Sequence, residues 1–242
     1  MKMVCDVIRY QYKQYMFSAK WVMPFVLLIV FVASFYLISP VEIVNSFAIT
    51  SLVLFGVMTW VGVTTQELEP EVSEQILILR LKSERKYYIC HILFLAVLCV
   101  IGIFVSMGIP LVKNLLVSGT MFSRKIEMLD VIGGFALLFA CAFTGAMLGE
   151  LFHVRVIKER TIAVGATFFV VVFAIVRSGL VEKYPMSRFL VWVVPPVSDV
   201  VSWFSNGSRF DMGKLLVGFT LLMLYAIIMA VIKVELLCLK KF

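Results

Sequence analysis

The sequence predicts an all-α membrane protein with six transmembrane helices, and three observations carry that prediction. Hydrophobic residues make up 62% of the 242 and charged residues only 15%, whereas a soluble domain is about a quarter charged. Mean hydropathy is +1.03. The apolar residues also fall in runs of about 20, and each such run makes a helix of roughly 30 Å, the thickness of a bilayer's hydrocarbon core.

The chain opens with about 20 polar and aromatic residues before the first run. Met3 to Trp21 puts Val4, Ile8, Tyr12 and Met16 roughly on one helical face, with Arg9, Lys13 and Lys20 positioned to meet anionic headgroups. A helix over 3–21 lying in the membrane interface fits this pattern; a frayed leader is the alternative. The run that follows starts too late and is too long for a cleaved signal peptide.

Spans are predicted at about 22–39, 45–64, 88–109, 130–152, 160–178 and 214–235. The first two carry no charge; Pro24 sits in the first turn of one, and Trp60 lies at interface depth near the end of the other. The third holds only His91, near its start. The fourth is bounded by Asp130 and Glu150, the fifth by Arg160 and Arg177, and the sixth by Lys214 and Lys233. No central third holds an Asp, Glu, Lys or Arg. With the N-terminus inside, 14 of the 22 Lys and Arg residues fall on inner segments, which sets both termini on the cytoplasmic side. The net charge of +7 is then a topology signal, and it gives no case for nucleic acid.

Two connections stand out. The inner loop over 65–87 runs from an acidic entry (Glu67, Glu69, Glu71, Glu74) through an apolar ridge (Ile76, Leu77, Leu79, Leu81) to a basic exit (Lys82, Arg85, Lys86). Ser73 is placed to cap a short helix over 73–86, with acids favouring its first turn and bases its last. Such a helix needs a protein or lipid to cover its ridge. The outer loop over 179–213 contains two short apolar pieces divided by Pro195 and Pro196, which forbid one continuous helix. A re-entrant hairpin entering from outside fits, with Trp192 and Trp203 as interface anchors.

Chemical motifs are sparse. Gly207 to Lys214 has the wrong spacing for a phosphate-binding loop, and the two histidines, His91 and His153, lie too far apart for a zincin motif. Glu150 and His153 form a lone ExxH without the second pair a di-iron bundle needs, so neither a metal site nor a catalytic residue is predicted. The five cysteines, Cys5, Cys90, Cys99, Cys141 and Cys238, read as small packing residues. Gly145 to Gly149 is a GxxxG helix-packing pattern. The uncharged span centres argue against an ion-coupled carrier, so a transporter built on this chain would take its energy from outside the bilayer.

The interfacial helix, six spans, inner coupling loop and double-proline hairpin together resemble the membrane permease subunit of an ABC-2-type (type V) ATP-binding-cassette exporter. In the inner loop the acidic entry, the ridge Ile76-Leu77-Ile78-Leu79, the run Ser83-Glu84-Arg85 and the tyrosine before span three carry the likeness. The resemblance implies a coupling surface on Glu67, Glu74, Ile76, Leu77, Leu79, Ser83 and Arg85, docked on a separate cytoplasmic ATPase. It also implies an interfacial helix bearing Arg9, Tyr12 and Lys13, and a hairpin at Trp192, Pro195 and Pro196. ATP and Mg would sit on the ATPase, and this chain would bind no cofactor. A second permease copy or sister subunit would pair through spans one and five. The implied cargo is an amphipathic peptide or small hydrophobic molecule, and the compact chain fits a bacterial plasma membrane. Two rivals remain: a non-conduit scaffold subunit, as in haem-export assemblies, and an intramembrane enzyme built on Glu150, His153 and Arg155. The sequon at Asn206 bears only on a eukaryotic secretory route.

Overall fold

The computed structural model describes residues 2–66, 68, 70–152, 159–183, 194–205, 207 and 209–239. Among them are nine α-helices and no strand: α1 (Lys2–Phe17), α2 (Val22–Phe35), α3 (Ile43–Thr65), α4 (Glu71–Leu81), α5 (Glu84–Leu116), α6 (Met128–Leu151), α7 (Arg160–Lys183), α8 (Val197–Ser202) and α9 (Met212–Leu239). Five of these, α3, α5, α6, α7 and α9, are long and apolar enough to cross a bilayer. The pair α1 and α2 adds a sixth path, bent by 77° between its halves. Glu67, His153, Arg155, Trp192 and Asn206 lie outside the described residues.

Several boundaries differ from the sequence reading. The first span, expected over 22–39, is helical only over 14 residues, or about 21 Å. Its end is held by tertiary bonds that propensity does not register. Lys113 Nζ donates to the Tyr36 carbonyl, and the Val41 N–H donates to the Met121 carbonyl at 3.0 Å, so the chain turns at Tyr36. The third span, expected over 88–109, is a 33-residue helix running through Pro110. The proline removes one donor, which a buried membrane helix tolerates.

The centre of the bundle is a close seam between α3 and α6. A Cβ added at Gly145 would lie 2.3 Å from the Phe55 carbonyl oxygen, and one at Gly149 would lie 2.2 Å from that of Thr59. On the other side, a Cβ at Gly62 would meet the Ala146 carbonyl at 2.5 Å. The GxxxG pattern thus brings two backbones into contact, a geometry that favours Cα–H···O bonds and van der Waals packing over apolar burial. Two hydroxyls in the middle of α3 bond within their own helix: Thr50 donates to the Ser46 carbonyl and Thr59 to the Phe55 carbonyl, each at 2.8 Å. Around this seam Phe47, Phe55, Met58, Phe94, Leu98 and Leu138 form the fully enclosed core.

At the far end of the bundle, Glu127 and Asp130 form a reciprocal capping box that starts α6. The Arg124 guanidinium binds both Asp130 oxygens at 2.7 Å, and those bonds raise its already high pKa further. Helix α8 is fixed against α7 by an Arg177–Asp199 ion pair at 2.9 Å and by the Ser178 N–H donating to Ser198 Oγ at 3.1 Å.

Candidate functional site

The opposite end gathers α1, α4, the start of α5 and the final turns of α3, α6 and α9. Helix α4 begins one turn earlier than Ser73 predicts. Pro70 occupies the cap position, and its carbonyl accepts from the Ser73 and Glu74 N–H groups at 2.9 and 3.1 Å. Ser73 is therefore inside the helix, and the expected serine cap is corrected. Its other end is corrected too. Lys82 adopts a left-handed conformation (φ 54°) that stops the helix at Leu81, and extended Ser83 starts α5. Arg85 and Lys86 then belong to the first turn of α5, leaving Arg80 as the base in the last turn of α4.

The 11 residues of α4 carry two apolar faces. Leu77, Ile78 and Leu81 pack with Val4, Val7 and Ile8 of α1, Tyr87 and Tyr88 of α5, and Leu237 of α9 in a small second core. Glu74, on the same inward face, is buried and accepts from the Tyr88 hydroxyl at 3.3 Å. Val72, Ile76 and Leu79 recur at the i, i+4, i+7 spacing of one helical face and are 68%, 59% and 76% exposed. The sequence ridge is thus divided: Leu77 holds α4 to the bundle, while Ile76 and Leu79 face away from it.

Helix α1 packs along a different stripe from the one expected. Val7, Gln11 and Tyr15 are its buried positions, Val4, Ile8 and Tyr12 flank them, and Met16 is exposed. Arg9 and Lys13 point outward. A groove of about 250 Å³ separates α1 from α4, walled by Asp6 and Tyr10 on one side and by Ser73, Ile76 and Arg80 on the other. Asp6 and Tyr10 lie one and two turns on from Met3 and belong to no motif of the sequence. Of the remaining predicted positions, Arg85 pairs with Glu235 at 3.1 Å on the surface. Pro196 caps α8, and the Pro195 carbonyl accepts from the Val197 N–H at 2.8 Å. The second limb of the predicted hairpin is therefore a one-and-a-half-turn helix with Val197, Val200 and Val201 buried; the first limb lies outside the described residues.

Beneath α4 is a cluster that no local motif announces. Glu150, 1% exposed near the end of α6, is engaged on both oxygens. Oε1 accepts from the Thr65 hydroxyl at 2.7 Å and lies 3.0 Å from His91 Nε2. Oε2 lies 2.6 Å from Lys233 Nζ. His91 Nδ1 is 3.4 Å from the side-chain nitrogen of Gln11, and Gln66 donates to the Gly149 carbonyl at 2.6 Å. One carboxylate therefore joins α3, α5, α6 and α9, with α1 attached through His91 and α4 through Glu74 and Tyr88. An adjoining cavity of about 30 Å³ touches Glu74, His91, Glu150 and Lys233; that volume admits water and no larger molecule. Among the described residues no three His, Cys, Asp or Glu side chains converge as a metal-binding set.

Compared with known proteins, the chain matches no family model, no curated protein and no solved structure.

Proposed function

We propose that this chain is the membrane-spanning permease subunit of an ATP-driven exporter of the ABC-2 type, working with a separate cytoplasmic ATPase and a second permease subunit. The observation that carries the reading is the outward stripe Val72, Ile76 and Leu79 on α4. A short helix anchored by one apolar face while presenting a second needs a partner with a matching cleft. The ATPase meets that need, and the groove between α1 and α4 gives it a second purchase. On this reading the α4 end is cytoplasmic, which agrees with the bias in Lys and Arg.

The Glu150 cluster supports the same reading, because it links α4 to every long helix around it except α7. A push on α4 would be relayed through Tyr88 and His91 to α6 and α9. Both carboxylate oxygens are already engaged and the cavity has room only for water, so the cluster suits a linkage better than a hydrolytic centre. Uncharged span centres fit a cargo that is an amphipathic peptide or a hydrophobic small molecule, moved without a coupling ion.

Pull-down of the tagged chain in mild detergent should recover a stoichiometric soluble ATPase. The double substitution Ile76→Asp with Leu79→Asp should abolish that recovery while leaving the chain in the membrane with an unchanged melting temperature. Recovery of a complex without any ATPase would favour the scaffold reading, and an ATPase still bound by the double variant would remove α4 as its dock.

A further inference from the structure

We propose that α1 is a releasable latch: it lifts from the bundle as one piece, turning at the elbow before α2, and so loosens the inner side of α4. The inference rests on the packing of α1 and holds whether or not α4 meets an ATPase.

The two halves of α1 are held by different means. Val4, Val7 and Ile8 in its first half join α4 and α9 in the small second core. The second half instead lays Gln11, Gln14 and Tyr15 against the bundle, at the i, i+3, i+4 spacing of one helical face. Gln11 and Tyr15 are fully buried. Gln11 Nε2 is 3.4 Å from His91 Nδ1, at the long limit for a hydrogen bond, and Gln11 Oε1 has no partner. Gln14 Nε2 donates to the Leu68 carbonyl at 2.7 Å, while its Oε1 is also buried without a partner. The Tyr15 hydroxyl has the Thr64 hydroxyl nearby but meets it in no bonding geometry; Thr64 donates instead to the Val61 carbonyl at 2.9 Å.

A buried polar atom without a partner has lost its water and gained no bond in exchange. Three such atoms on one helix face oppose the docking of α1, and lifting rehydrates all three. Apolar contact keeps the helix down on average: the Tyr15 ring meets Phe94 edge-on at 6.0 Å. The elbow adds to the opposition. Ala19, between α1 and α2, has a φ of 55°, a left-handed conformation that a residue with a Cβ adopts reluctantly. Local opening draws on weakly seated elements of this kind. When α1 lifts, Leu77, Ile78 and Leu81 lose one wall of their core, so the position of α1 sets how firmly α4 is held.

Hydrogen–deuterium exchange on the full chain in mild detergent tests this, with maleimide labelling of the native cysteines as a second readout. Peptides over residues 4–17 should exchange together, about tenfold faster than those over residues 87–95 of α5, on which α1 rests. Tyr15→Phe removes an unpartnered hydroxyl and should slow the exchange of α1 about fivefold. Gln14→Leu, which takes the donor from the Leu68 carbonyl, should speed it by a similar factor. Cys5 is exposed, and Cys90 is buried in the same small core as Val7. Cys5 should therefore label at once and Cys90 only as α1 lifts, slowed by Tyr15→Phe in step with the amides. Faster or unchanged exchange in Tyr15→Phe would show a satisfied hydroxyl and overturn the proposal. So would Cys90 labelling that ignores Tyr15→Phe while the amides slow, which would mean that α1 frays and is not released as one piece.

Discussion

The two ends of the bundle both use ion pairs, but in opposite settings. At the α4 end, Glu150 and Lys233 meet at 2.6 Å with their side chains 1% and 3% exposed. At the far end, Arg209 and Glu127 meet at 2.8 Å with 68% and 47% exposure. The distances are almost equal, so distance does not set the energetic weight. Taking two charges out of water costs several kcal/mol for each ion, and only mutual attraction and added hydrogen bonds offset it. A buried pair is therefore an all-or-nothing arrangement, while an exposed pair is worth roughly 0.2–1 kcal/mol. The Arg124–Asp130 pair stands between them, with its carboxylate 2% and its guanidinium 24% exposed.

Substitutions at these three ion pairs would sharpen or break this contrast, each read as a thermal unfolding curve in mild detergent. The largest effect should come from Glu150→Ala or Lys233→Ala, each destabilising by about 3–5 kcal/mol because the remaining charge is left buried without its partner. Joining Glu150→Gln to Lys233→Met should recover most of that loss. If the double variant is no better than the singles, the pair is not an isolated electrostatic unit. Asp130→Asn, which leaves Arg124 without its carboxylate and the capping box with Glu127 as its one remaining acid, should cost about 1.5–3 kcal/mol, the usual range for a charged hydrogen bond. Arg209→Ala should change stability by less than about 1 kcal/mol; a larger loss would mean that the far end is more tightly built than its exposure indicates.

The fold was legible in the sequence to the extent that it follows from local pattern. Runs of apolar residues located five full-length helices, the acidic-to-basic loop located α4, and Gly145 with Gly149 located the seam. Tertiary bonds decided what local pattern missed. The short α2 ends where Lys113 reaches Tyr36, 77 residues apart. The Glu150 cluster joins residues 59 and 85 positions apart in the chain. Each member was visible singly as a polar residue near a span end, and alternation of the spans put Thr65, His91, Glu150 and Lys233 at one end. Their convergence on one carboxylate depends on helix rotation, which the sequence leaves open because these helices are apolar on nearly every side. On α4 the ridge was found but its division was not: with four consecutive apolar residues, periodicity does not decide which of them turn inward.

The glycine seam also sets the step size of any rearrangement. With the Phe55 and Thr59 carbonyls seated over Gly145 and Gly149, α3 has no room to creep along α6, because the first small displacement drives a carbonyl out of its notch and into a side chain. The next comparable register lies a whole turn away, about 5.4 Å. The pair therefore behaves as a detent: it stays where it is, and smaller motions are left to helices that lean on it from outside.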